Sequence, residues 1–186
     1  MIDRKEYMRS TYSKYWKNVR KNVYGFMDYD KAFINLIESF SNKHGKILEV
    51  AIGTGEPIAN NLENIGYQVY GIDISDRLVD ECKKNNKNIN CEVGDAEQLK
   101  FANSEFDLTY CVHSSWFLPD LNKAVTEMVR VTKSGGRVLF DILNMYNREI
   151  DKIYRSHVFE NDNLIGMLYK TIKNEILNPL DRSTID

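Results

Sequence analysis

The run Ile47–Glu56, ILEVAIGTGE, constrains this chain more than any other segment. Apolar residues flank a single glutamate, which reads as a buried strand running straight into a tight glycine turn and then a helix. Such a unit sets bare backbone N–H groups and a helix N-terminus against a ligand. Gly53 and Gly55 have no Cβ, so a nucleotide-like ligand can approach the backbone closely. Glu49 lies inside the apolar strand, where a charge without a partner is costly. Its position therefore implies a polar partner.

The residues that follow extend the pattern. Ile58, Ala59, Leu62 and Ile65 recur at helical spacing, and Gly66 ends that helix. The segment 68–74, QVYGIDI, is a second strand ending at Asp73, and 89–95, INCEVGD, is a third that closes on Asp95. An acid at the tip of the second strand, about 20 residues past a glycine turn, is where a dinucleotide-binding fold holds ribose hydroxyls. Three successive strands thus carry polar groups at or near their C-terminal ends, the edge that forms the ligand crevice of an open α/β sheet. Strands are expected near 46–52, 68–74, 89–94, 106–112 and 137–143, and helices near 55–65, 76–86 and 121–133. In the last helix Asp120 is the expected N-cap and Leu121, Ala124, Val125, Met128 and Val129 the apolar stripe. Alternating β and α elements imply a parallel sheet with right-handed crossovers.

With these pieces in place the chain resembles the class I S-adenosylmethionine-dependent methyltransferases. Residues 49–55 (EVAIGTG) are similar to that family's first motif, 71–75 (GIDIS) to its second-strand motif, and 93–97 (VGDAE) to its adenine-contacting segment. Residues 106–113 (FDLTYCVH) resemble its fourth strand, and 121–143, with 134–137 (SGGR) before a final strand, its last helix and fifth strand. The resemblance covers roughly residues 46–145 in unbroken order. It implies a Rossmann-like α/β fold, a parallel sheet of order 3-2-1-4-5 flanked by helices. It also implies S-adenosyl-L-methionine as cofactor and S-adenosyl-L-homocysteine as its product. By the same resemblance, Glu49 and the backbone of Ala51, Gly53, Thr54 and Gly55 meet the methionine part of the cofactor. Asp73 accepts from the ribose with Ile74 packed nearby, Asp95 meets the adenine amine beside Ala96, and Cys111, Val112 and His113 form the floor beneath the sulfonium.

A nicotinamide dehydrogenase shares the first two signals. The dinucleotide fingerprint, however, wants a third glycine for close helix–strand packing, and that position is Ile58. Residues 94–97 (GDAE) also have no place in it. Methyl transfer from a sulfonium is a displacement at carbon that needs alignment and a nucleophile more than acid–base groups, so the lack of an obvious catalytic motif does not oppose it. His113, just past the fourth strand, faces the crevice and is the candidate proton acceptor for a substrate hydroxyl or amine; a structural histidine is the alternative. Trp116 is a candidate pocket wall.

The flanks are less conventional. Residues 1–45 read as helical, with Tyr12, Tyr15, Trp16, Val19 and Val23 on one stripe and basic residues between them. This is either a helix packed on the core or a lid that brings Tyr12 and Tyr15 to the substrate. A second helix from about Tyr29 is expected to be capped by Asp28 or Asp30 and stopped by Gly45. In residues 146–186, Leu164, Leu168, Ile172 and Ile176 recur every four residues. That argues a helix where the family places two more strands. The expected sheet thus lacks the final two strands, and its fifth strand has an open edge that invites a partner, possible as a second copy of the chain. The chain organisation expected is a helical segment 1–45, a core 46–145 and a C-terminal helical segment 146–186.

Composition excludes several classes. The net charge of −2 gives no global drive toward nucleic acid; the basic residues Lys14–Lys21 are the only feature favouring it. No apolar run reaches the length of about 18 residues of a membrane span, and the first residues lack the apolar stretch of a signal peptide. Cys82, Cys91 and Cys111 have no metal-ligand spacing. The expectation is a cytoplasmic enzyme with a small-molecule methyl acceptor, no metal and no membrane. The alternative is a cofactor-binding subunit or truncated product completed by a partner.

Overall fold

The computed structural model describes residues 3–15, 28–40 and 44–142. The chain divides into two compact units, Met1–Asp141 and Ile142–Asp186. The expected C-terminal helix, and the absence of further strands, fall on residues outside those described, as does much of the aromatic stripe of residues 12–23.

The first unit is a parallel five-stranded sheet with helices against it. Its elements are α1 (Arg4–Tyr15), α2 (Asp28–Phe40), β1 (Lys46–Val50), α3 (Ile58–Asn64), β2 (Gln68–Asp73), α4 (Asp76–Asn85), β3 (Asn90–Val93), β4 (Phe106–Cys111), α5 (Leu121–Val131) and β5 (Thr132–Phe140). The sheet order is β3-β2-β1-β4-β5, and every pairing is parallel. The expected order 3-2-1-4-5 is therefore the observed one. Alternate residues of a strand face opposite sides. Ile47 accordingly joins Ile37, Leu62, Val79 and Tyr110 in one apolar layer, while Leu48 and Val50 join Phe106, Cys111 and Met128 in the other. Both layers are buried, as a sheet covered on two faces requires.

Local chemistry sets the helix starts. Asp120 caps α5 by accepting from the Lys123 N–H at 3.1 Å, as expected, and Ser75 caps α4 by accepting from the Leu78 N–H at 3.4 Å. Three expectations need correction. The helix after the glycine turn starts at Ile58, not near 55, because the residue preceding a proline is driven out of the helical region and Pro57 follows Glu56. Asp30 does not cap α2, which begins at Asp28; it lies in the second residue beyond that start, is buried, and reaches His113. The fifth strand starts at Thr132 rather than 137. Its register against β4 shifts between Phe106 and Leu108, so Gly135 (φ 79°) and Gly136 lie inside an irregular strand instead of before it.

Candidate active site

The ends of β1, β2, β3 and β4 open on one cleft. One part of it is lined by Ala51 after β1, Asp73 and Ile74 at the end of β2, Gly94, Asp95 and Ala96 after β3, and Ser114 and Phe117 after β4. Lys5 and Met8 of α1 line it too. A smaller adjoining part, about 300 Å³, is lined by Glu49, Ala51, Gly53, Val112, His113 and Ser114, among others. Ala51 and Ser114 border both, so the two parts are continuous.

The glycine turn that forms the floor is held from below. Gly53 has φ 59°, and a Cβ there would meet nothing within 4 Å, so its open side faces space. Ala51, with φ 62°, is left-handed without being glycine, a conformation costing of order 1 kcal/mol that persists where the surroundings impose it. The Asp73 carboxylate accepts from the N–H of Gly53 and the N–H of Ser75, each at 2.9 Å. Burial pushes its carboxyl up to about 6 despite those N–H donors, which pull the other way. Asp73 therefore ties the turn after β1 to the turn after β2.

Glu49 has the polar partner its position implied: the Tyr110 hydroxyl donates to its Oε2 at 2.9 Å. Burial and then the Glu49 charge push the Tyr110 hydroxyl far above its ordinary range, so it stays a donor. Asp95 pairs with the Lys5 ammonium at 2.7 Å, and Lys5 reaches Glu97 at the same distance. Partial burial works against ionisation of Asp95, but Lys5 and the Glu97 N–H outweigh it and hold the carboxyl below its usual range.

In the smaller part of the cleft, His113 stands at φ 59°. Its Nε2 is 2.6 Å from Asp30 Oδ1, and its backbone N–H donates to Asp141 Oδ2 at 2.9 Å. Tyr29 packs at a tilt against the ring, 5.2 Å between centroids, and its hydroxyl donates to the same Asp141 oxygen at 3.1 Å.

The expected site residues thus divide. Glu49, Ala51, Gly53, Asp73, Ile74, Asp95, Ala96, Val112 and His113 line the cleft. Thr54, Gly55 and Cys111 do not border either part. The Thr54 carbonyl accepts from Asn86 Nδ2, and a Cβ on Gly55 would meet Asn86 and Cys82, so Gly55 is required for packing behind the turn. Cys111 is fully buried in the layer of Leu48 and Met128, not beneath the cleft. The side chains of Tyr12, Tyr15 and Trp116 lie outside the described residues. Lys5, Asp30 and Asp141 belong to the site and were not anticipated from the sequence. Asp141 ends the fifth strand as Asp73 and Asp95 end theirs, so the same rule would have found it; Lys5 and Asp30 carry no such signal.

The cleft fits a nucleoside-bearing sulfonium. Ile74, Ala96 and Phe117 offer apolar wall, and carboxylates stand at or near the ends of β1, β2 and β3. Ile58, at the dinucleotide fingerprint's third-glycine position, is instead a buried side chain opening α3.

Comparison with known proteins agrees. A family described as "Methyltransferase domain" matches residues 48–140, half of the 186-residue chain. The chain is 32% identical over 126 residues to the malonyl-[acyl-carrier protein] O-methyltransferase of Buchnera aphidicola subsp. Baizongia pistaciae, covering 66% of this chain and 49% of that one. It is 30% identical over 159 residues to the demethylmenaquinone methyltransferase of Leptospira interrogans serovar copenhageni, covering 80% and 64% respectively. The chain thus spans between about half and just under two thirds of the length of these relatives. A TehB-like SAM-dependent methyltransferase from Corynebacterium glutamicum superposes with a TM-score of 0.60 at 21% identity, covering 77% of this chain and 79% of that one. Fold, strand-end chemistry and family match converge: this chain belongs to the class I, Rossmann-like S-adenosyl-L-methionine-dependent methyltransferases.

Proposed function

We propose that this protein transfers a methyl group from S-adenosyl-L-methionine to an oxygen or nitrogen of a small molecule. The observation that carries the reading is the single cleft lined by Ala51, Asp73, Ile74, Asp95 and Ala96, with His113 and Glu49 in its adjoining part. When bound, the cofactor supplies an electrophilic methyl group on a positively charged sulfur. The chain supplies position and electrostatics. The backbone of Ala51–Gly53 and the Glu49 carboxylate face the amino-acid end. Asp73 holds the turn and offers its carboxylate to the ribose. Asp95, Ala96 and Ile74 form the adenine end. The side chains around His113 leave room for an acceptor, and alignment of the reacting atoms provides most of the acceleration.

Three buried free cysteines, Cys82, Cys91 and Cys111, support a reducing, cytoplasmic location. Among the described residues no helix is long and apolar enough to cross a membrane, and no His, Cys, Asp and Glu group could hold a metal ion. A net charge of −2 favours a small molecule over nucleic acid as the acceptor. A second reading, a cofactor-binding subunit completed by a partner or a second copy, is favoured by one observation. Among the described residues β5 has only β4 as a sheet neighbour, which leaves an edge.

Calorimetry with S-adenosylmethionine, S-adenosylhomocysteine and NAD tests the proposal. The first two should compete for one site. Binding of NAD alone would overturn it.

A further inference from the structure

We propose that His113, oriented by Asp30, is the proton acceptor of this site, and that its methyl acceptor is an atom that carries a proton to give up, a hydroxyl or an amine, and not a carboxylate. The inference rests on the methyltransferase reading above and names the substrate class of that same site.

The hydrogen bond between Nε2 and Asp30 Oδ1, 2.6 Å long, decides which ring nitrogen is protonated. Ionised Asp30 only accepts, so Nε2 carries the proton and Nδ1 of the neutral ring is the lone-pair nitrogen. Nδ1 is 3.9 Å from Asp141 Oδ2, beyond hydrogen-bond distance. Among the described residues it makes no hydrogen bond. The Asp30 side chain is 3% exposed and that of His113 is 18% exposed, so the dyad is buried at Asp30 and open at the ring. The ring's open side belongs to the part of the cleft that Glu49, Gly53 and Val112 also line.

Polar groups face the ring from three elements. Asp30 and Tyr29 face the ring from α2, Asp141 from the end of β5, and Glu49 shares the cleft from β1. Imidazolium formed there lies between two carboxylates, those of Asp30 and Asp141. Tyr29 does not ionise in competition, because burial and then Asp141 push its hydroxyl above its ordinary value. Asp141 Oδ2 accepts from both the His113 backbone N–H and the Tyr29 hydroxyl, which ties the His113 backbone and the tilted Tyr29 ring to the end of β5. Asp141 Oδ1 is buried and has no partner among the described residues, which leaves that carboxylate an acceptor to spare beside the ring.

This arrangement selects the acceptor. A carboxylate is already a nucleophile and gains nothing from a base, and Glu49, Asp30 and Asp141 would repel it. A hydroxyl or an ammonium becomes nucleophilic as its proton leaves. The acceptor's O–H or N–H bond breaks and its proton goes to Nδ1 of His113. The acceptor atom bonds the methyl carbon, and the sulfur keeps the electron pair of the C–S bond that breaks. Asp30 touches neither reacting atom; it is a positioning residue, acting through the ring.

Nitrogen-15 spectroscopy of the full chain with labelled histidine is the direct test. The expected result for neutral His113 is a protonated Nε2 and a bare Nδ1. Asp30→Asn, which removes the carboxylate that fixes the tautomer, should give a mixture of protonated Nδ1 and protonated Nε2 on the neutral ring, and Asp30→Glu should restore the single form. Calorimetry with S-adenosylhomocysteine on the same samples reads the cofactor site separately. Its failure in wild type would remove the methyltransferase reading while leaving the dyad intact. Methyl transfer is then measured on phenol, benzylamine and benzoate. Ether or N-methyl product, with a pH profile that moves in Asp30→Asn, supports the assignment, and methyl benzoate as sole product overturns it. Where none of the three is methylated, or Asp30→Asn does not fold, the wild-type ring decides, and a protonated Nδ1 on the neutral ring overturns the assignment.

Discussion

Asp73 is fully buried yet carries two backbone N–H donors, and its pH behaviour follows from that conflict. Its folded carboxyl titrates at about 6 against an ordinary 3.8. Below the lower value both folded and unfolded chains hold the proton. Between the two the unfolded chain releases it while the folded chain keeps it, so stability falls as pH rises through this window. The fall amounts to about 3 kcal/mol in all, from about 1.4 kcal/mol per unit of pKa difference. Above the folded value both are ionised and the penalty is constant. Asp73→Asn removes this slope whatever fixed cost it adds. Urea unfolding of both proteins at about pH 4 and about pH 7 should show wild type losing about 3 kcal/mol relative to the variant; parallel profiles would refute the burial argument. Individual residues were legible in the sequence where the backbone dictates their surroundings. Glu49 needed a partner because its strand is buried, and Tyr110 is that partner. Asp73, Asp95 and Ala96 were placed by their strand ends. Lys5 and Asp30 were not, because contacts across 90 and 83 residues depend on tertiary docking that no local pattern encodes.

At the scale of elements, α1 is joined to the loop after β3 by Lys5, which binds Asp95 and Glu97, while Glu97 also accepts from the Asp120 N–H at 3.0 Å. The Lys5 side chain is 30% exposed and that of Asp95 37%, so solvent screens the pair. Lys5→Met should therefore change stability by less than about 1 kcal/mol in chemical unfolding. It should also strengthen S-adenosylhomocysteine binding, because Lys5 occupies one oxygen of Asp95 and the Glu97 N–H the other. Weaker binding in calorimetry would mean that Lys5 assists the ligand rather than competing with it. Element type and order were readable from periodicity, since β1 and β4 carry apolar runs and α5 has a clean stripe. The boundaries moved where a residue's backbone rule overrode the pattern. Pro57 delayed α3, and the glycine pair 135–136, which reads as a turn, was absorbed into an irregular strand because a Cβ on Gly136 would meet the Asp107 carbonyl at 2.6 Å.

For the molecule as a whole, the edge that β5 presents among the described residues is the surface proposed for association. Its Lys133 is bound to Asp107, and its Arg137 guanidinium lies 5.5 Å from the centre of the Phe40 ring, so these cations are engaged within the chain. Phe140 is exposed near the end of the strand. Light scattering over a dilution series should show a dimer dissociating on dilution, and a monomer at every concentration would mean that the edge is not used. The sheet order has a different consequence, for the time course of folding. β1 is flanked by β2 and by β4, and Glu49 pairs in register with Tyr110, 61 residues away. The cleft needs both flanks, so it is incomplete until that distant strand has docked, and closing long loops is the slow part of forming a parallel sheet. A ligand of the cleft therefore meets no binding-competent site on the way up the barrier. It holds the finished protein against opening, lengthening its lifetime, without hastening its assembly.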